Sequence, residues 1–184
     1  MSLEPAYPFL ILKYMSCTIS DGRDEPCKDV VGGIKNVYML SFKDSGLVPT
    51  RASGAEEITD FTADDTWYKY EVKGASSFTQ NIQSNRDNGT TFFEQVVELT
   101  FKKLTYQDHD RVYRIAAGRP HVAIEDYNGN FFLVGEEHGC DATGGTIVSG
   151  AAMGDLTGYT LTLTGMERRP ANFVTGSGIT KITS

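Results

Sequence analysis

The chain has 184 residues, 40% of them hydrophobic, which suits one domain with a real core and excludes a disordered chain. Seventeen basic residues against twenty-four acidic ones give a net charge of −7. A free nucleic-acid binder carries the opposite balance, and no apolar stretch approaches the length of a membrane span.

Residues 1–16 read as an N-terminal arm or extension, and 17–184 as a single β-rich structural domain. The start is acidic, and the apolar run Phe9-Leu10-Ile11-Leu12 is too short for the core of a secretion signal. Met15 offers a second start. Three cysteines, Cys17, Cys27 and Cys140, are too few and odd in number for a secreted disulfide scaffold, so reduced thiols are expected. The sequon at Asn88-Gly89-Thr90 then reads as a polar turn.

Residues 18–28 are polar and turn-rich. Residues 36–42 form a dense apolar strand, expected to be buried on both faces. From Trp67 to Lys73 the side chains alternate, with Tyr68, Tyr70 and Val72 on one face and Lys69, Glu71 and Lys73 on the other. Residues 74–91 read as a long polar loop, unusual for an ordered domain and expected to contact a neighbouring copy. Phe78 and Ile82, four apart, are its apolar anchors, and Arg86 lies in the same contact; an ordinary surface loop is the alternative. Alternation resumes over 93–101, with Phe93, Val97, Leu99 and Phe101 opposite Glu94, Glu98 and Thr100.

One helix is predicted over Tyr106–Ala117. Thr105 and Asp108 form a capping box with Asp in place of Glu, Val112, Ile115 and Ala116 make an apolar stripe, and Gly118 and Pro120 stop the helix. Arg111 and Arg114 on its flank read as a salt-bridged face or as an intersubunit contact. His121–Asp126 and residues 130–134 flank Tyr127-Asn128-Gly129, the strongest hairpin signal in the chain. Residues 139–158, rich in Gly, Ala and Thr, are expected to be irregular. Residues 157–164 form a last strand in which Tyr159, Leu161 and Leu163 alternate with threonines.

Catalytic motifs are missing. The sequence has no GxSxG, HExxH or P-loop. A zinc site from His138, Cys140, Cys17 and Cys27 lacks the close ligand pairs that such sites use, and no local signature joins a cysteine nucleophile to His109, His121 or His138. Glu125-Asp126 and Glu136-Glu137 read as solvated surface carboxylates. No enzyme activity, cofactor or metal is expected. A carbohydrate- or receptor-binding β module, using Trp67, Tyr68 and Tyr127, is a rival reading whose alternative is plain strand packing.

Charge is unevenly spread. Residues 121–155 hold six acids and no Lys or Arg, whereas 101–119 hold five bases against two acids. Such asymmetry suits steering between identical subunits.

Several segments carry a resemblance: Asp24-Glu25-Pro26-Cys27-Lys28-Asp29-Val30-Val31-Gly32-Gly33, Tyr70-Glu71-Val72-Lys73-Gly74 with Asn88-Gly89-Thr90, Gly118-Arg119-Pro120, Glu125-Asp126-Tyr127-Asn128-Gly129-Asn130, Glu137-His138-Gly139-Cys140 and Thr164-Gly165-Met166-Glu167. Together, over residues 15–174, they resemble a family of virion structural proteins of tailed bacteriophages. The resemblance implies a particle protein assembled in the host cytoplasm, a tail-tube subunit first and a head–tail connector or neck ring second. Tail-tube proteins share an antiparallel β-sandwich or barrel with one flanking α-helix. Six subunits form a ring, and rings stack into a channel for DNA. The implied partners are further copies of the chain and other virion proteins, with DNA passing unbound and no membrane involved. An acidic wall suits such a channel, and Glu125, Glu136, Glu137 and Asp141 are the expected lumen-facing residues.

Overall fold

The computed structural model describes residues 22–25, 27–43, 47–51, 57–62, 65–72 and 75–184. The arm 1–16, the second start at Met15 and Cys17 lie outside these residues. In chain order the strands are β1 (Ile34–Leu40), β2 (Pro49–Arg51), β3 (Ile58–Phe61), β4 (Tyr68–Glu71), β5 (Ser77–Asn85) and β6 (Thr90–Lys102). Helix α1 (Tyr106–Ala117) is followed by β7 (His121–Asp126), β8 (Phe131–Val134), β9 (Asp141–Val148), β10 (Gly158–Glu167), β11 (Asn172–Val174) and helix α2 (Ser177–Thr183). They build a mainly β sandwich: a seven-stranded sheet in the order β2-β3-β11-β8-β7-β1-β4 faces a four-stranded sheet in the order β5-β6-β10-β9. Pairing is antiparallel except where β11 meets β3 at Val174 and Ile58.

Alternation explains how the sheets meet. Val37 and Met39 of β1, Val122 and Ile124 of β7, and Val134 of β8 turn toward the four-stranded sheet. There they pack on Val97 and Leu99 of β6 and on Leu161 and Leu163 of β10. The intervening residues Tyr38, Leu40, Ala123 and Leu133 form a second cluster on the other face, with Ile58, Phe61, Trp67 and Ile182 of α2. The seven-stranded sheet is therefore covered on both faces, which accounts for the continuous apolar run of β1. Each fully buried Leu or Val contributes roughly 1.5–3 kcal/mol over an exposed one.

The helix and the hairpin form as their local chemistry dictates. Thr105 Oγ1 accepts the Asp108 N–H at 3.1 Å, and its hydroxyl donates to the Asp108 carboxylate at 2.5 Å. That bond, with help from Arg111, holds the Asp108 carboxyl below its ordinary value. At the hairpin, the Asp126 carboxylate accepts the backbone N–H groups of Asn128 and Asn130 at 2.8 and 2.7 Å, and Gly129 takes φ 82°. Asp126 is thus a turn-shaping group, which the surface-carboxylate reading misses.

Three expectations are corrected. Residues 77–91 are no loop: β5 and β6 pair in register from Ser77↔Glu98 to Asn85↔Thr90, around a turn at residues 86–89 with Gly89 at φ 62°. Phe78, Gln80 and Ile82 share one face of β5, but the polar character of most of its residues hides the period of two. Residues 139–158 likewise contain β9, whose glycines and threonines fit an edge strand beside β10. A second, short helix, α2, closes the outer face of the larger sheet through Ile182, which is fully buried.

Candidate functional site

The four-stranded sheet turns one face to the core and the other outward. Register fixes the outward set. Ser77, Thr79 and Asn81 of β5 lie beside Glu98, Val96 and Glu94 of β6. Those lie in turn beside Thr162, Thr164 and Met166 of β10, and Thr100 pairs with Thr160. Thr146 and Gly144 of β9 complete the face opposite Thr160 and Thr162. Hydroxyl and amide groups bridge the strands: Ser77 Oγ donates to Glu98 at 3.1 Å, Asn81 Nδ2 donates to Glu94 at 3.2 Å, and the Thr146–Thr160 and Thr143–Thr164 hydroxyl pairs lie 2.7 and 2.9 Å apart. From Glu94 to Thr100 this face carries carboxylates and hydroxyls but no Lys or Arg, and Lys102 marks one end of it.

Both lateral edges of this sheet, β5 and β9, lack a strand partner among the described residues. β9 is exposed from Thr143 to Ile147, with α1 packed beside the strand and no further strand paired to its outer edge among the described residues. The β5–β6 hairpin also overhangs its neighbour, because the last β10 pairing is Glu167↔Phe93 while β5 and β6 continue to Asn85↔Thr90. Ile82, 70% exposed, and Phe92, 38% exposed, lie on the overhang.

The expected interface residues separate. Phe78 is half-buried against Phe132, with ring centroids 5.8 Å apart, so it anchors this chain's own sheets and is no free contact. Ile82 and Arg86 are exposed on the hairpin. Arg111 and Arg114 are exposed but tied within α1 to Asp108 at 2.8 Å and Asp110 at 2.9 Å, which matches the salt-bridged reading.

The expected lumen acids separate too. Glu125 is buried, at 7% exposure, and cannot line a channel from this position. Its carboxylate accepts from Asn36 Nδ2 at 2.6 Å and Lys35 Nζ at 2.5 Å, and from the Tyr38 hydroxyl at 3.3 Å. Burial alone would raise this carboxyl, but the Asn36 and Lys35 bonds outweigh it and hold it below the ordinary value. Glu136 is half-buried in an ion pair with Arg51 and accepts from Asn172 Nδ2 at 3.3 Å. Glu137 and Asp141 are exposed. Glu94 and Glu98 were legible as facing away from the apolar side of β6. That the threonines of β10 extend the same face depends on long-range pairing, which no local signal carries.

The remaining candidates are also placed. Trp67 is buried against Phe61, which removes it as a sugar platform, whereas Tyr68 and Tyr127 are exposed. Cys140 is fully buried and its thiol is pushed up by that burial, while Cys27 is exposed before β1. His138 meets Glu167, not a thiol: Glu167 Oε1 accepts the N–H groups of Glu137 and His138 at 3.0 and 2.8 Å, and Oε2 lies 3.1 Å from His138 Nδ1. Glu167 thereby fixes the turn after β8. No helix among the described residues is long and apolar enough to cross a membrane. Comparison with protein-family models, with curated proteins and with solved structures gives no match to this chain.

Proposed function

We propose that this chain is a structural subunit of a tailed-bacteriophage particle, forming rings that stack into a tail tube through which DNA passes. The observation that carries the reading is the four-stranded sheet, with two edges that lack strand partners among the described residues and an outer face free of Lys and Arg from Glu94 to Thr100. In the order β5-β6-β10-β9 all neighbours are antiparallel, so β5 and β9 run in opposite directions. Copies related by rotation about an axis along the strands then bring β9 of one against β5 of the next in antiparallel pairing. The alternation continues without a break, and the contact is heterologous, the kind that forms a ring when the rotation between copies closes.

Six copies, the number implied by the family resemblance, give a barrel of about 24 strands. At a spacing of about 4.8 Å and a tilt of about 40°, its backbone diameter is about 45–50 Å, which leaves a wide aqueous channel. Glu94 and Glu98 and the threonines of β10 line that channel in this reading. A wall without cations forms no phosphate contacts, so a duplex slides instead of binding. Repulsion from the carboxylates is screened beyond about 8–10 Å at moderate salt.

Negative-stain microscopy of the purified chain tests the proposal. Rings or tubes with a central hole are expected. A monodisperse monomer at high concentration rejects it, and isolated single rings that never stack move the assignment to the connector between head and tail.

A further inference from the structure

A groove of about 750 Å³ opens between α1 and the edge of the seven-stranded sheet. Met39, Tyr68 and Tyr70 form its floor. Arg111, Arg114 and Arg119 rim it; Arg111 and Arg114 are paired with Asp108 and Asp110, and Arg119 lies over the Phe42 ring. The adjoining strand β4 is the last strand of its sheet, so its outer backbone edge has no strand partner among the described residues. Aromatic floor, basic rim and open strand edge together suit an extended, acidic segment with aliphatic side chains.

The chain carries such a segment. The described residues between 22 and 33 are all exposed, Val30 at 75% and Val31 at 61%, so none packs on this chain's own core. Asp24, Glu25 and Asp29 outnumber Arg23 and Lys28 there. The segment is also held in place: the Val31 N–H donates to Asn128 Oδ1 at 3.0 Å, and Asn128 Nδ2 donates to the Val31 carbonyl at 2.8 Å. Asn128 belongs to the β7–β8 turn, and β7 flanks β1 on the side opposite β4. The clamp therefore directs the segment away from the chain's own groove.

We propose that the segment preceding β1, with Val30 as its apolar anchor, docks as an added strand in the α1–β4 groove of a second copy. Charge complementarity selects this occupant: the carboxylates of the segment meet the arginine rim, and Val30 covers Tyr68 and Tyr70 while Val31, on the opposite face, stays clamped by its backbone to Asn128. The inference rests on the ring reading for the presence of a neighbouring copy, and it adds a second, interlocking contact to the β5–β9 edge.

A cysteine placed at the exposed anchor Val30 supplies the probe, with Cys27 replaced and Cys140 buried. In a Cys17→Ser, Cys27→Ser, Val30→Cys, Tyr68→Cys chain, mild oxidation is expected to give a ladder of disulfide-linked dimers and higher species on a non-reducing gel. The same sample is imaged beforehand. Rings without a ladder, or a monomer closed by an internal disulfide, overturn the inference and leave the proposed function standing. A ladder without rings supports the docking and overturns the tube. Unassembled, unlinked chain overturns both. A Val30→Asp, Val31→Asp variant, altered only at exposed positions, keeps a native circular dichroism spectrum and loses self-association by at least about tenfold in sedimentation. Unchanged association of that variant also overturns the docking.

Discussion

Asn36 Nδ2 donates to the Glu125 carboxylate at 2.6 Å across the β1–β7 pairing, and with Lys35 and Tyr38 it turns a sequence-exposed acid into a buried link between two strands. Glu125→Ala leaves the Asn36 amide and the Tyr38 hydroxyl in that site without their acceptor. A loss of about 2–4 kcal/mol is expected in urea unfolding, and Glu125→Gln loses less because an acceptor oxygen remains. Since the folded carboxyl lies below its ordinary value of 4.5, this contribution is present above that pH and is lost as pH falls through the lower folded value.

His121 gives the fold a second acid sensitivity, at higher pH. It is fully buried, its Nδ1 lies 2.5 Å from the Gly135 carbonyl, and its Nε2 accepts from the Lys43 N–H at 3.4 Å. This arrangement fits the neutral ring with the proton on Nδ1. Burial outweighs the Gly135 bond and lowers its pKa from 6.5. The unfolded chain thus binds the proton first, and stability is expected to decline as pH falls below about 6.5. Thermal melts between pH 7.5 and 5 check this, and a midpoint that stays level or rises on acidification contradicts it.

Gly158 opens β10 where no side chain fits, because a Cβ there would overlap the Phe101 carbonyl oxygen. Gly158→Ala is expected to cost about 3 kcal/mol through displacement of the β6–β10 backbone. Chemical denaturation measures it directly, and a neutral substitution shows that the two strands separate more easily than their register implies.

Charge reversal of the outward face is expected to create a DNA grip. Glu94→Lys with Glu98→Lys places two cations per copy on a stretch of wall that carries no Lys or Arg from Glu94 to Thr100. In gel-shift assays of assembled protein, DNA retention rises at least about tenfold at low salt and falls steeply as salt is added. Retention equal to the wild type places this face away from the channel.

The sequence carried the elements better than their partnerships. Alternation in β6 and β10, the capped α1 and the Asn-Gly hairpin are local signals, and each appears where local chemistry puts it. β5 and β9 were hidden because their residues are mostly polar, small or glycine, so the period of two has little hydropathy contrast. The buried Glu125 was illegible for a different reason: its three donors come from β1, nearly ninety positions away in the chain. The acidic run in the sequence therefore mixes a buried Glu125 and a half-buried Glu136 with exposed Glu137 and Asp141, and that the face of Glu94 and Glu98 is continued by the residues of β5 and β10 emerges only once β6 is seen between them.

Electron cryo-microscopy of the assembled protein tests the central claim most directly. The account predicts a ring in which β9 of each copy pairs with β5 of the next, around an open channel lined by Glu94, Glu98 and the threonines of β10. A channel lined by another surface, or an assembly in which the β5 and β9 edges stay unpaired, contradicts it.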